Sequence, residues 1–184
     1  MGHPPRIVEP DGYYHVTAVG NDGRTIYPSP DDARSFLDRL ARAVRRYDWV
    51  CLTHCLMTNH YHLLLRLPAG GPSLSRGMQE LNGHYSRATN KRYGRKHHLF
   101  RNRFGARHIT TEKHLLEACR YIVLNPVRAG LVAHPADWPW SSYTACANDR
   151  LAPAFLARDE LLRLFDDDAR RARRAYREFV EDRA

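Results

Sequence analysis

Between Trp49 and Leu67 the chain reads WVCLTHCLMTNHYHLLLRL. Two runs rich in β-formers, Trp49 to Met57 and His60 to Leu67, are separated only by Thr58 and Asn59. So short a break folds the runs back on one another as an antiparallel hairpin. The rest of the chain has to be arranged around that hairpin. Side chains two apart on a strand share a face, so His60 and His62 point the same way. Two imidazoles alone make a weak metal site and need an oxygen donor or another His from elsewhere in the fold. A competing set is a structural zinc site of Cys51, Cys55, His60 and His62. Its spacing is not that of a zinc finger. On an unbroken strand Cys51 and Cys55 would share a face about 13 Å apart, at roughly 3.3 Å per residue, too far for one ion.

The elements around the hairpin follow from local signals. Tyr13 to Gly20, YYHVTAVG, reads as a strand ending at the turn GNDG. A helix is predicted from Ser29 as N-cap, with Pro30 first, Asp31 and Asp32 in the first turn, and Phe36, Leu37, Leu40 and Val44 as its apolar stripe. PAGGP breaks the pattern, and Ser73 is placed to cap a second helix running to about Tyr93. A fourth strand is predicted over His97 to His108. TTEKHLLEACRYIVLNP carries a capping box at Thr110 or Thr111, with Leu115, Leu116, Cys119, Ile122 and Val123 at helical spacing. Pro126 is expected to disturb that helix. The order is β-α-β-β-α-β-α, whose first six elements are a split βαβ unit. The fold class expected is α+β: a ferredoxin-like antiparallel sheet with helices on one side. Residues 1–133 form this domain. In 134–184, HPADWPWSSY and two short helical patterns, Ala157 to Phe165 and Ala169 to Val180, form a small helical C-terminal extension packed on it.

Charge points to the partner. The 184 residues hold 29 Lys+Arg against 20 Asp+Glu, a net charge of +9 with a pI near 9.7. Such a balance favours polyanions, nucleic acid before an anionic membrane surface. The excess is local. From Leu81 through Thr111 there is no Asp or Glu, while Arg87, Lys91, Arg92, Arg95, Lys96, Arg101, Arg103 and Arg107 fall in that stretch. Tyr85, Tyr93, Phe100 and Phe104 are interleaved with them. A block of one sign with aromatics is the footprint of phosphate contacts and base stacking. The four cysteines make no CxxC pair, and neither a signal peptide nor an apolar run of membrane length is visible. A cytoplasmic protein with reduced thiols and no membrane partner is expected.

In RYIVLNPVRAGLV, Tyr121 and Asn125 are four apart and share a helix face. One interpretation makes Tyr121 a packing residue and Asn125 a helix-end residue before Pro126. The other makes Tyr121 a nucleophile and Asn125 a carbonyl ligand to a metal beside it. A phenol, with a pKa near 10, attacks poorly unless a divalent metal polarises its target. Tyr85, on the predicted second helix, is the reserve nucleophile.

MTNHYHLLL, HLFRNRFGARHI, YIVLNPVRAGLV and DWPWSSY together resemble the REP-associated tyrosine transposases, a branch of the single-tyrosine HUH transposases close to the IS200-like enzymes. The resemblance runs from about Tyr13 to Tyr143, with a similar helical tail. The family usually reads M-P-N-H-V-H at the pair; here Thr58 stands for Pro and Tyr61 for Val. The resemblance implies that His60 and His62 bind the metal, Mg²⁺ or Mn²⁺, and that Tyr121 is the nucleophile. Asn125 takes the place of a metal-binding Gln, one methylene shorter. It also implies single-stranded DNA as substrate, in REP hairpins with a flanking tetranucleotide, cleaved to a 5′-phosphotyrosine and a free 3′-OH.

Competing functions are a relaxase-like or replication-initiator-like nicking enzyme and a catalytically silent hairpin-binding protein. An RNA-binding module of the same fold would want RNP motifs, which are absent. Insertion-sequence relatives exchange the tyrosine helix within dimers. Trp138, Trp140, Tyr143, Phe155, Leu161, Leu162 and Phe165 are too many large apolar groups for a disordered tail. They are expected to cover the surface a partner would otherwise cover, giving a monomer.

Overall fold

The structure is a computed structural model, and it describes residues 9, 11–69, 74–148 and 151–182. Its elements are β1 (Tyr13–Val19), α1 (Pro30–Arg46), β2 (Val50–Leu56), β3 (His60–Arg66), α2 (Leu74–Tyr93), β4 (Gly105–Ile109), α3 (Glu112–Arg128), α4 (Tyr143–Ala147), α5 (Arg158–Arg163) and α6 (Ala169–Glu181). The four strands form one sheet in the order β2-β3-β1-β4, each neighbouring pair antiparallel. This is the split βαβ arrangement expected of the sequence.

The helices α1 and α2 cover one face of the sheet. Tyr14, Val16 and Ala18 of β1 and Tyr61, Leu63 and Leu65 of β3 meet Phe36, Leu40, Met78 and Leu81 there. Helix α1 starts as its sequence dictates: Ser29 and Asp32 close a reciprocal capping box, and Pro30 leads the first turn. Helix α2 comes very close to Trp49, the residue just before β2. A Cβ on Gly77 would fall 2.3 Å from the Trp49 ring, so this position admits only glycine. The expected cap at Ser73 lies outside the described residues.

Helices also cover the opposite face, where one-sided cover was expected. Leu52 and Leu64 pack there against Ile122 and Val123 of α3 and Leu161 and Tyr176 of the extension. The reason is in β3, where Leu63, Leu64 and Leu65 are all buried. A strand apolar on both sides needs two covers. The extension also runs along β2, an outer strand of the sheet. Leu56 N–H donates to Trp140 O at 2.9 Å, Ser142 N–H to His54 O at 3.0 Å, and Ala157 N–H to Cys51 O at 2.8 Å. Backbone groups of an edge strand that would otherwise be open are thereby paired.

Three local expectations change. The β2–β3 register shifts between Cys51 and Thr53, a bulge. Cys51 therefore joins the α1/α2 core and Cys55 the α3 core. The two thiols do not share a face, and burial pushes each up to about 12; the zinc alternative falls. The fourth strand is only Gly105–Ile109. Leu99 and Phe104 are both buried in the same core, yet they are five apart, and a regular strand would send them to opposite faces. Residues 97–104 are thus irregular, bonded to the end of β1 through Asn21 N–H to Leu99 O (2.8 Å) and Arg101 N–H to Val19 O (2.9 Å). Helix α3 begins at the Thr111 cap, whose hydroxyl accepts from His114 N–H. With His114 at the third position the other half of the box does not form. The helix then passes through Pro126 to Arg128. Proline removes the one donor that Ile122 O would accept, and the helix ends two residues later.

Candidate functional site

The α3 face of the sheet carries the histidines. His15 on β1 and His60 and His62 on β3 alternate onto this face with Thr17 and Leu64, and Arg107 of β4 lies opposite His15 in register. His15 Nε2 and His62 Nδ1 are 2.8 Å apart and share one proton between them as donor and acceptor. The His60 and His62 rings meet edge to face, with centroids 4.9 Å apart. His60 Nδ1 lies 2.7 Å from Asn59 Oδ1. Both Nδ1 atoms are thus engaged, and Nε2 of each ring remains. His62 Nε2 is buried with no hydrogen-bond partner. Burial lowers the pKa of all three imidazoles, that of His15 to about 4 and of His62 to about 3. The histidines are neutral at neutral pH, the state in which imidazole donates a lone pair to a metal.

Helix α3 brings Tyr121 over this cluster. Its ring centroid is 5.7 Å from that of His62 and 5.9 Å from that of His15, edge to face in both cases. The Arg128 guanidinium carbon sits 5.1 Å from the centre of the Tyr121 ring. Tyr121 is 40% exposed although it packs among aromatic rings, so its side chain is open to a substrate. Asn125, one turn on, donates its side-chain Nδ2–H to Tyr121 O at 2.8 Å, leaving Oδ1 as its free coordinating atom. Among the described residues no group of three or more His, Cys, Asp and Glu is arranged to hold a metal. The orphaned His62 Nε2 beside His60 fits two ligands of a divalent ion, and the rest would come from oxygen donors such as an amide or a phosphate. Tyr85, the reserve nucleophile, is 1% exposed, and its hydroxyl donates to Ile26 O at 2.6 Å. It is a core residue.

The basic block divides into parts. Arg87, Arg95, Lys96, Arg101 and Arg103 line a groove of about 1760 Å³ between α2, the 94–104 segment and the Asn21–Thr25 turn. Arg87 and Lys91 also line a second groove, between α1 and α2, with Arg39, Arg42 and Arg46. Arg107 stands by His15 instead, and its charge contributes to the lowered pKa there. Arg92 is turned to an internal partner: its guanidinium bonds the buried Asp32 at 2.9 Å. The interleaved aromatics are mostly structural. Tyr85 and Phe104 are buried, Phe100 packs against the same core, and Tyr93 alone of the four is exposed. Sequence reasoning missed His15, Arg128, Arg39 and Arg42. Nothing local marks His15 as part of the site, because only the β1–β3 register brings it to His62.

An antiparallel four-stranded sheet has a histidine face that meets an exposed helix tyrosine, and basic grooves lie along α2 on its other side, features that fit an α+β enzyme acting on DNA. The chain matches the family model for IS200-like transposases over residues 10–125 and belongs to that family. A Haemophilus influenzae protein assigned as a REP-associated tyrosine transposase is 26% identical, over 72% of this chain and 80% of its own length. A solved structure of a REP-associated tyrosine transposase bound to a REP hairpin superposes with a TM-score of 0.69. It is 22% identical and the match covers 85% of this chain and 92% of that one. The tRNA(His) guanylyltransferase of Saccharomyces cerevisiae aligns with a TM-score of 0.50 at 11% identity, covering 97% of this chain and 82% of its own. That likeness is one of fold.

Proposed function

We propose that this chain cleaves and rejoins single-stranded DNA at REP-type hairpins, with Tyr121 as the nucleophile and His60, His62 and Asn125 as the metal-binding set. The observation that carries this is the position of the exposed Tyr121 ring against His62 and His15 in one chain. The hairpin substrate is supported by the names of the two transposase relatives and by the basic grooves. Tyr121 Oη forms a bond to phosphorus, and the bond from phosphorus to the 3′ oxygen breaks with its electron pair going to that oxygen. The phenolic proton passes to solvent at the exposed ring edge, and the 3′ oxygen takes one up. The products are a 5′-phosphotyrosine and a free 3′-OH, and attack by the 3′-OH of another end reverses the step. A bound Mg²⁺ or Mn²⁺ would polarise the scissile phosphate. Arg128 holds the Tyr121 ring in place and, with Arg107, offers cations to the phosphate.

Among the described residues no helix is long and apolar enough to cross a membrane. We infer a cytoplasmic enzyme acting on DNA, and its four buried free cysteines accord with that. The test is incubation with Mn²⁺ and a labelled single-stranded REP-type hairpin, followed by denaturing electrophoresis. Wild type forms a covalent adduct and Tyr121→Phe does not, while hairpin affinity stays within about twofold because the ring supplies only packing. Adduct formation by Tyr121→Phe would overturn the assignment.

A further inference from the structure

The tight turn of the hairpin, Thr58–Asn59, is stitched to the turn that follows β1. Gly20 N–H donates to Asn59 O at 2.7 Å, and Ile26 N–H to Thr58 O at 3.0 Å. The Thr25 hydroxyl also donates to Thr58 O, at 3.0 Å. Asn21, Asp22, Arg24 and Thr25 of this turn form a wall of the 1760 Å³ groove. One side chain spans from the wall to the histidines. Asn59 Nδ2–H donates to Gly23 O at 3.1 Å, and Asn59 Oδ1 faces His60 Nδ1 at 2.7 Å. Gly23 presents that carbonyl from a left-handed conformation, φ +68°, that glycine adopts freely.

These two bonds fix what neither fixes alone. A carbonyl only accepts, so Gly23 O demands the amide nitrogen and the Asn59 side chain cannot be flipped. Its oxygen must then face His60, and an amide oxygen also only accepts. His60 Nδ1 therefore carries the proton, and Nε2 keeps its lone pair. A ligating histidine is ordinarily held in this way, through its outer nitrogen. We propose that Asn59 is a positioning residue that locks His60 in the Nδ1–H tautomer and ties that lock to the groove wall, so that DNA binding and His60 orientation share one amide. Its relevance to catalysis rests on the function proposed above, whereas the lock itself does not.

Two variants separate the bonds. Asn59→Ala removes both. Asn59→Asp keeps an acceptor for His60 Nδ1–H but sets a carboxylate oxygen against Gly23 O. The first readout is ¹⁵N NMR of labelled imidazoles at pH 8 in protein free of metal and DNA. The second is the affinity for a fluorescent REP-type hairpin without metal. Wild type and Asn59→Asp are expected to show His60 in the Nδ1–H tautomer, and Asn59→Ala a mixture with Nε2–H. Both variants are expected to bind the hairpin about tenfold more weakly, the scale of one net hydrogen bond. Asn59→Ala is also expected to bind Mn²⁺ roughly 10- to 100-fold more weakly. An unmixed Nδ1–H tautomer in Asn59→Ala would overturn the lock. Wild-type hairpin affinity in Asn59→Asp would overturn the tie to the groove. A wild-type protein that forms no adduct, yet shows these tautomers, would sink the proposed function and leave the lock standing.

Discussion

At the scale of single residues, the site depends on which atoms are left over. His15 occupies His62 Nδ1, Asn59 occupies His60 Nδ1, and Nε2 of each ring remains, with the ring centroids 4.9 Å apart. A hard divalent ion is poorly held by one imidazole and an amide. His60→Ala and His62→Ala are therefore expected to lose Mn²⁺ binding and cleavage together. Calorimetric titration checks this, and unchanged affinity in both variants would remove the site. The two tyrosines considered as nucleophiles differ in burial, not in chemistry. Tyr85→Phe is expected to keep the adduct and to cost about 1 kcal/mol in urea unfolding, the worth of its buried bond to Ile26 O.

At the scale of elements, the basic block is read correctly only once its helix and loop are placed. Arg101 and Arg103 follow Leu99 on an irregular segment and line the groove, whereas Arg92 turns back from α2 to the cap of α1. Charge reversal at Arg101 and Arg103 is expected to weaken hairpin binding. It should also reduce the log–log salt slope by roughly 0.7 to 0.9 for each phosphate no longer neutralised. Arg92→Ala is expected to leave that slope unchanged and to lower the urea midpoint only slightly, since solvent already screens this half-exposed guanidinium from Asp32. Fluorescence anisotropy across a salt series distinguishes the two. A slope that moves with Arg92 and not with Arg101 and Arg103 would put the DNA elsewhere.

At the scale of the whole molecule, the extension covers surface that a second copy would otherwise need. It pairs the β2 edge through Trp140, Ser142 and Ala157 and fills the core beneath α3. Tyr121 then sits on the histidine face of its own sheet. A monomer by light scattering over a range of concentrations is expected. Mixing Tyr121→Phe with His60→Ala protein should not restore cleavage; recovered adduct would mean that sites are shared between chains. Burial also adds to the pH response, with His15, His60 and His62 contributing in the same direction as His54. His54 on β2 is buried, and desolvation lowers its pKa from 6.5 to about 4. The unfolded chain takes up this proton more readily than the folded one. The stability is fully present above pH 6.5 and is lost as pH falls towards 4. His54→Leu is expected to flatten the decline by up to about 1.4 kcal/mol per pH unit in urea unfolding measured between about pH 7 and pH 5.

Local chemistry alone determined the hairpin, the cap at Ser29, the same-face pair His60 and His62, the helical spacing of Tyr121 and Asn125, and the acid-free stretch from Leu81 to Thr111. Each depends on neighbours within a few residues, where turn length, strand period and helix period act directly. The sequence patterns also sufficed to place the chain in its family. Tertiary structure alone decided what depends on register and on packing over long distances. A bulge sends Cys51 and Cys55 to opposite faces. The β1–β3 pairing carries His15 to His62, 47 residues away in the chain. Burial retires Tyr85, and Asp32 claims Arg92 across 60 residues. A sequence pattern specifies which face a side chain takes within its own element, while the neighbour on that face is chosen by how the elements pair and pack.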